Sequence, residues 1–396
     1  MPEMNKKICI VGASARAACW SAVRAGLEPC AFDYFQDLDF PTGCDVRLIS
    51  KDEDASFPQS PSRQHIPCLP VGGWENEPET MQQLESQFLL WNTSPAMTKR
   101  SRDPFLIQQI LREHNLPNLQ VRKPSDDLNK EQWIRKPLLG TGGIGISRVA
   151  DTAVESDQLE YDQQFISGES YSAIFFATRS GKMNLLGISS QLIGSDELPQ
   201  RPFAYIGSIG PVFSGGDKQA RAMQATLKDM ANALSTQIKF YGLVGFDFIV
   251  SHGDPYLTEI NPRYCASIEV LELALQESFL SYFNTEKINT KEIDPESVEI
   301  ESDTQPQKVG KAILYAPRDF QLPENWDWNW FAIQQKKKTW EYSQWVVPTV
   351  SDLPAAGTSF TTDDPICTVW TQQVSEQQCR LELRKLKERL KESLNL

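Results

Sequence analysis

The 396-residue chain is predicted to be an α+β protein of two or three domains. Three observations predict it. A strand, a small-residue turn, an alanine-rich helix and a second strand open the chain as a Rossmann-like α/β unit. The middle alternates glycine-turn hairpins with amphipathic helices. The last part is rich in short strands and tryptophan and closes on one amphipathic helix.

Residues 6–11 (KKICIV) have the pattern of a short buried strand. Gly12 to Arg16 form a turn, an Ala-rich helix follows to Ala25, and Gly26 stops it. Residues 28–33 make the second strand. The turn lacks GxGxxG, so no dinucleotide site is supported there. Ser14 and Arg16 either contact an anion at the helix N-terminus or are an ordinary turn and a surface charge. Residues 50–73 are rich in Pro and Ser and read as loop. Residues 75–90 look helical, 91–101 read as a connection, and 103–115 form a helix with Pro104 in its first turn and a stripe of Phe105, Ile107, Ile110 and Leu111. Arg102, just ahead of it, is a flanking surface charge or a phosphate ligand.

Residues 132–136 (QWIRK) read as a strand running into the glycine-rich loop Gly140-Thr141-Gly142-Gly143-Ile144-Gly145. Gly140, Gly142 and Gly145 match GxGxxG, but a dinucleotide fingerprint opens a helix, and β-branched residues follow here. A loop between two strands is instead a flap whose backbone N–H groups can lie over phosphates. Lys136 precedes it, placed to neutralise them. The alternative is a plain glycine turn beside a surface lysine. Residues 161–166 are a further short strand, and 170–177 with 183–188 a hairpin. Residues 220–239 and 268–283 are helices. Residues 285–307 are acidic and polar and read as a linker. A strand restarts at 309. Trp326, Trp328, Trp330, Trp340 and Trp345 read as core or interface. Ser375 and Gln378 make a capping box ahead of a helix with a Cys379, Leu383, Leu386, Leu390, Leu394 stripe that docks on its own domain.

The most informative stretch is YGLVGFDFIVSHGDPYLTEINPR, residues 241–263. Two apolar runs flank a Ser-His-Gly-Asp-Pro turn, which reads as a hairpin. A register symmetric about Gly253 places Asp247 opposite Glu259, with Asn261 on the same face as Glu259. Opposed carboxylates repel and are hard to keep charged in an apolar hairpin. Either they lie on a wet surface face, or a hard divalent cation joins them, as Mg²⁺ is held by one or two carboxylates plus substrate phosphates. Arg263 adds a fork suited to phosphate or carboxylate.

Composition narrows the classes. A formal net charge of −13 argues against a general nucleic-acid or anionic-membrane surface. No apolar run approaches the ~20 residues of a membrane span. Eight cysteines without a CxxC pair read as reduced thiols in a cytoplasmic protein, and a total of three histidines argues against a His-rich metal site.

The order RKPLLGTGGIGI, QQFISGESYSA and GFDFIVSHGDPYLTEINPR resembles the ATP-grasp superfamily, and EINPR is similar to the motif of biotin carboxylase-type members. The resemblance covers residues 1–280 and extends to DLPAAGTSFTTDDPICTV, similar to the final β-rich region of such carboligases. It implies an ATP-grasp fold divided into an N-terminal Rossmann-like domain (1–95), the ATP-grasp domain (96–284), an acidic linker (285–308) and a β-rich C-terminal region (309–396). ATP would lie between two α+β subdomains. Lys136 and Arg102 would contact its phosphates under the Gly142–Gly143 flap. Gln163, Gln164, Phe165 and Ile166 would be the adenine hinge. Asp247, Glu259 and Asn261 would carry Mg²⁺ or Mn²⁺, and Arg263 would orient an acyl phosphate or substrate carboxylate. The ribose glutamate is expected directly before Tyr171, where Ser170 stands, and Glu169 lies one place earlier. The implied activity is an ATP-dependent carboxylate–amine ligase on small molecules, and the implied assembly is a homodimer. The alternatives are a phosphotransferase on the same scaffold and a non-catalytic nucleotide-binding protein. The N-terminal GASARAACWSA pattern resembles predicted carboligases linked to tetrahydromethanopterin one-carbon metabolism.

Overall fold

The computed structural model describes residues 6–49, 66–124, 130–151, 159–194, 198, 201–213, 218–283, 307–328 and 345–396. The chain divides into two compact units, Met1–Pro58 with Ile206–Pro211 and Ala266–Leu396, and Gln59–Tyr205 with Val212–Cys265.

The first unit opens as the sequence predicts. Strand Lys7–Val11 is buried beyond its first residue, and helix Arg16–Arg24 turns Ala18, Cys19 and Ala22 inward. Strand Glu28–Asp33 lies parallel to the first, and Asp45–Leu48 adds a third parallel strand. Arg16 differs from both readings of it. It is buried, donating from Nε to Asp352 (2.6 Å) and from Nη2 to Glu269 (2.9 Å). Carboxylates of its own unit therefore hold it, which neither a surface charge nor an anion contact describes.

The same unit contains the antiparallel strands Tyr205–Gly210, Lys308–Tyr315, Pro365–Gln373 and Val350–Ser351, paired in that order. The terminal helix Glu376–Leu394 packs on Lys308–Tyr315 and Pro365–Gln373 through the expected stripe from Cys379 to Leu394, with Ser375 accepting the Gln378 N–H at 3.3 Å. Trp370 is fully buried and donates to Ser351 Oγ, while Trp328 is buried with its Nε1 on the Pro354 carbonyl, so both are core residues. Trp330, Trp340 and most of the acidic stretch after residue 283 lie outside the described residues. The helix expected over 268–283 is two pieces, Ala266–Leu275 and a 3-10 turn Phe279–Phe283. Gln276 has φ +52°, and the Glu272 carboxylate accepts the Phe279 N–H at 2.7 Å, which stabilises the bend.

The second unit has two sheets. The larger runs Asp254–Asn261, Gly242–Ser251, Glu169–Ala177 and Met183–Ile193, all antiparallel. Helices Lys218–Ser235 and Pro104–Glu113 bury Leu227, Met230, Leu234, Ile110 and Leu111 into a core with Phe175, Phe246 and Phe248. The smaller sheet runs Val121–Arg122, Glu160–Gln164, Trp133–Pro137 and Ser147–Arg148. Asp103 caps the Pro104–Glu113 helix by accepting the Phe105 and Leu106 N–H groups. The connection expected over 91–101 contains a short helix, Pro95–Ser101, begun by Ser94 and a proline in its first turn. It is too short to show a periodicity. Among the described residues no helix is long and apolar enough to cross a membrane.

Candidate functional site

The hairpin of the second unit turns on His252 (φ +53°) and Gly253 (φ +93°), the backbone of a two-residue turn that suits glycine. From Ser251–Asp254 to Phe248–Leu257 the pairing is regular. A bulge at Thr258 then shifts the register by one, and Asp247 stands opposite Glu259. Asn261, two residues on, donates to Asp247 Oδ2 at 2.8 Å, and Gln191 donates to Oδ1 at 2.9 Å. Burial, then the Glu259 charge opposite, push the Asp247 carboxyl up to about 6. A bound cation would reverse both effects. Among the described residues no group of three or more His, Cys, Asp or Glu could hold a metal ion by itself. Two carboxylates and an amide fit Mg²⁺ that takes its remaining oxygens from phosphates.

Arg102 Nη1 donates to Glu259 at 3.1 Å and its Nη2 to the Gly140 carbonyl at 2.6 Å. One guanidinium thus links the hairpin to the glycine loop. In that loop Gly142, Gly143 and Gly145 all have positive φ. A Cβ on Gly143 would sit 2.0 Å from the Phe203 carbonyl oxygen, so no side chain fits there. Strand Trp133–Pro137 alternates its cations: Arg135 pairs with Asp162 at 2.9 Å, while Lys136 donates to the Thr258 carbonyl at 3.1 Å and lies 3.4 Å from Gln163 Oε1.

These groups surround one cleft with about 720 Å³ of open space. Lys136, Arg102, Glu259, Gln163, Gly140 and Gly143 line it, beside an apolar wall of Ile107, Leu111, Ile144 and Ile260. It offers two cations, a glycine loop and a carboxylate next to a surface that suits a flat apolar ring.

The structure does not bring every predicted residue to that lining. The Gln164 N–H goes to the Gln120 carbonyl and the Phe165 N–H to that of Gln132, while Arg148 covers the Phe165 ring at 3.5 Å. Neither they nor Ile166 line the cleft. Gly142 accepts the Tyr205 N–H behind the loop. Glu169 is exposed and accepts the Tyr171 hydroxyl. Asp247 and Asn261 join the site through Glu259 and their own hydrogen bond.

Arg263 has a partner that sequence reasoning missed. Its Nε donates to Glu75 Oε1 at 2.6 Å and its Nη2 to Asn261 Oδ1 at 3.2 Å. Glu75 also accepts the Gly73 N–H at 2.8 Å, fixing the carboxylate from behind. In the sequence Glu75 reads only as the start of an amphipathic helix. Gln191, on the long strand Met183–Ile193, carries no signal either.

Residues 102–267 match the family model of the ATP-grasp domain. An uncharacterized protein of Methanocaldococcus jannaschii is 24% identical over 172 residues, 42% of this chain, and the match spans 39% of that relative's length. Biotin carboxylase from Campylobacter jejuni, solved as a beta-gamma-ATP complex, has a TM-score of 0.66 at 12% identity, covering 95% of this chain and 89% of that one. The L-amino acid ligase from Bacillus licheniformis has a TM-score of 0.58 at 15% identity, covering 98% of both chains. These structural likenesses are of fold.

Proposed function

We propose, from the match of residues 102–267 to the ATP-grasp domain, that the chain is an ATP- and Mg²⁺-dependent ligase that joins a small-molecule carboxylate to an amine. The observation that carries the reading is the bulged hairpin that sets Asp247 against Glu259 in the unit whose cleft holds Lys136 and the glycine loop.

Lys136 and Arg102 would neutralise the phosphates of ATP, with the glycine loop over them. Asp247, Glu259 and Asn261 would hold Mg²⁺, which supplies charge stabilisation on the transferred phosphoryl group. The carboxylate oxygen takes the γ-phosphoryl group and ADP leaves. The amine then adds to the acyl carbon and inorganic phosphate departs. Arg263, held by Glu75 and Asn261, presents a fixed fork that suits the acid or its acyl phosphate. The tetrahydromethanopterin-linked pathway is the setting that the N-terminal resemblance supports.

ADP and phosphate release, screened over acid-plus-amine pairs, tests the reading. Release that requires both partners, and that falls at least ~100-fold in Lys136→Ala and Glu259→Gln, is expected. A phosphorylated product accumulating without any amine would make the protein a phosphotransferase. Turnover unchanged in both variants would remove the ATP site itself.

A further inference from the structure

The first unit has a cavity of its own, with about 730 Å³ of open space, that shares no residue with the cleft described above. Ser14 follows the first parallel strand, and Phe35 and Asp37 follow the second. The carboxyl ends of parallel strands are where open α/β sheets receive ligands. Asp352, Thr358, Thr368 and the Cys367 thiol complete its polar lining.

Charge around this cavity does not balance. Asp33 is satisfied by the backbone N–H groups of Ala15, Phe35 and Gln36. Asp39 accepts the Asp352 and Leu353 N–H groups and pairs with Arg16 at 3.5 Å. The same guanidinium serves Asp352 and Glu269, and Lys311 reaches Glu269 at 3.4 Å. Five carboxylates therefore face three cations, Arg16, Lys311 and the buried Lys387, which lies near Cys367 of the lining. The carboxylate left over is Asp37, which is only 9% exposed and lines the cavity. It makes no hydrogen bond or ion pair among the described residues. Burial, then Asp352, Asp39 and Asp33, push its carboxyl up, and Arg16 opposes them.

Such a group calls for a cation from outside. A metal ion is the poorer candidate, since among the described residues no three acidic, His or Cys side chains could hold one. The remaining walls, Phe35, Ile313, Phe360 and Ile366, are apolar. Phe35 is 51% exposed, an aromatic ring that a ligand's apolar arm would cover.

We propose that this cavity binds a small primary amine with an apolar arm, its ammonium group received by Asp37 beside Asp352. The same carboxylates disfavour an amino acid, whose own carboxylate they repel. The inference does not rest on the ligase reading, because binding here needs no ATP.

Isothermal titration of the full chain without nucleotide tests it, with phenethylamine, 2-phenylethanol and phenylalanine as probes. Phenethylamine is expected to bind at least about tenfold tighter than either of the others. Asp37→Asn should remove that preference. Ser14→Phe, at an exposed position on the cavity wall, should block the amine while leaving Asp37 in place. The wild-type comparison needs no variant to fold. Equal binding of amine and alcohol, no binding of the amine at millimolar concentration, or an unchanged amine affinity in both variants would overturn the proposal.

Discussion

Glu75 Oε1 receives the Arg263 Nε–H at 2.6 Å, with the carboxylate almost wholly buried. The pair lies 188 residues apart in sequence. Arg263 is thereby held in one orientation, and its Nη2 also reaches Asn261. Removing one partner of a buried pair leaves the other charge uncompensated.

Glu75→Gln should cost about 3–5 kcal/mol of unfolding free energy at pH 7. Burial alone would raise the Glu75 carboxyl, but Arg263 and then Arg102 outweigh it and hold it below its ordinary value of 4.5. A carboxyl depressed in the folded state stabilises above its unfolded value, and that contribution is lost as pH falls through the folded value. Urea unfolding from pH 7 to 3.5 should show the gap between wild type and variant narrowing at the acid end. A gap that stays flat over that range sinks the assignment.

Glu272 carries the opposite sign. Burial, opposed by Arg24, Ser21 and the Phe279 N–H, pushes its carboxyl up to about 7 from 4.5. A carboxyl raised in the folded state binds its proton more tightly there than in the unfolded chain. Its ionisation therefore costs stability progressively between about pH 4.5 and 7, and the cost is constant above. Glu272→Gln should gain on wild type by up to about 3 kcal/mol between pH 5 and pH 8. Parallel unfolding curves at the two pH values would contradict it.

The glycine loop allows a steric test. Gly143 has φ +77°, and a Cβ there meets the Phe203 carbonyl oxygen at 2.0 Å. Gly142 has φ +63° with open space around its Cβ position. Gly143→Ala should displace the loop and weaken ATP binding at least about tenfold, while Gly142→Ala costs about 1 kcal/mol of backbone strain with a smaller effect on binding. Equal effects of the two substitutions would show that backbone conformation matters there and the close approach does not.

Much of the site is legible in the sequence because it is local. The hairpin, its turn and the alternation of its side chains lie within 23 residues, and Asp247 does face Glu259. A register symmetric about Gly253 names that pair without the bulge that produces it, however. The turn is His252-Gly253, and regular pairing from it would set Asp247 against Thr258. The bulge at Thr258 restores the partner, and nothing in a Thr between Leu257 and Glu259 announces it. Contacts between distant segments are equally silent. Glu75 reaching Arg263, Gln191 reaching Asp247 and Arg16 buried among carboxylates each depend on how strands are ordered, which side-chain periodicity does not encode. The terminal helix is the reverse case, since its capping box and leucine stripe are both within one element.

Arg102 offers the sharpest test of the cleft. Its side chain is 9% exposed, and it bridges Glu259 on the hairpin and the Gly140 carbonyl at the start of the loop. Without a nucleotide it neutralises Glu259. With phosphates present it becomes a second cation opposite Lys136 and ties the loop to the hairpin. Arg102→Ala should therefore weaken ATP binding in Mg²⁺ by about tenfold or more. Arg102→Lys should recover part of this, because a single ammonium keeps the charge but cannot span both acceptors. Calorimetric titration of ATP into the two variants and wild type measures the ordering. If Arg102→Lys binds no better than Arg102→Ala, charge is not what Arg102 contributes. If neither differs from wild type, Arg102 takes no part in holding phosphate and the cleft's cationic side reduces to Lys136.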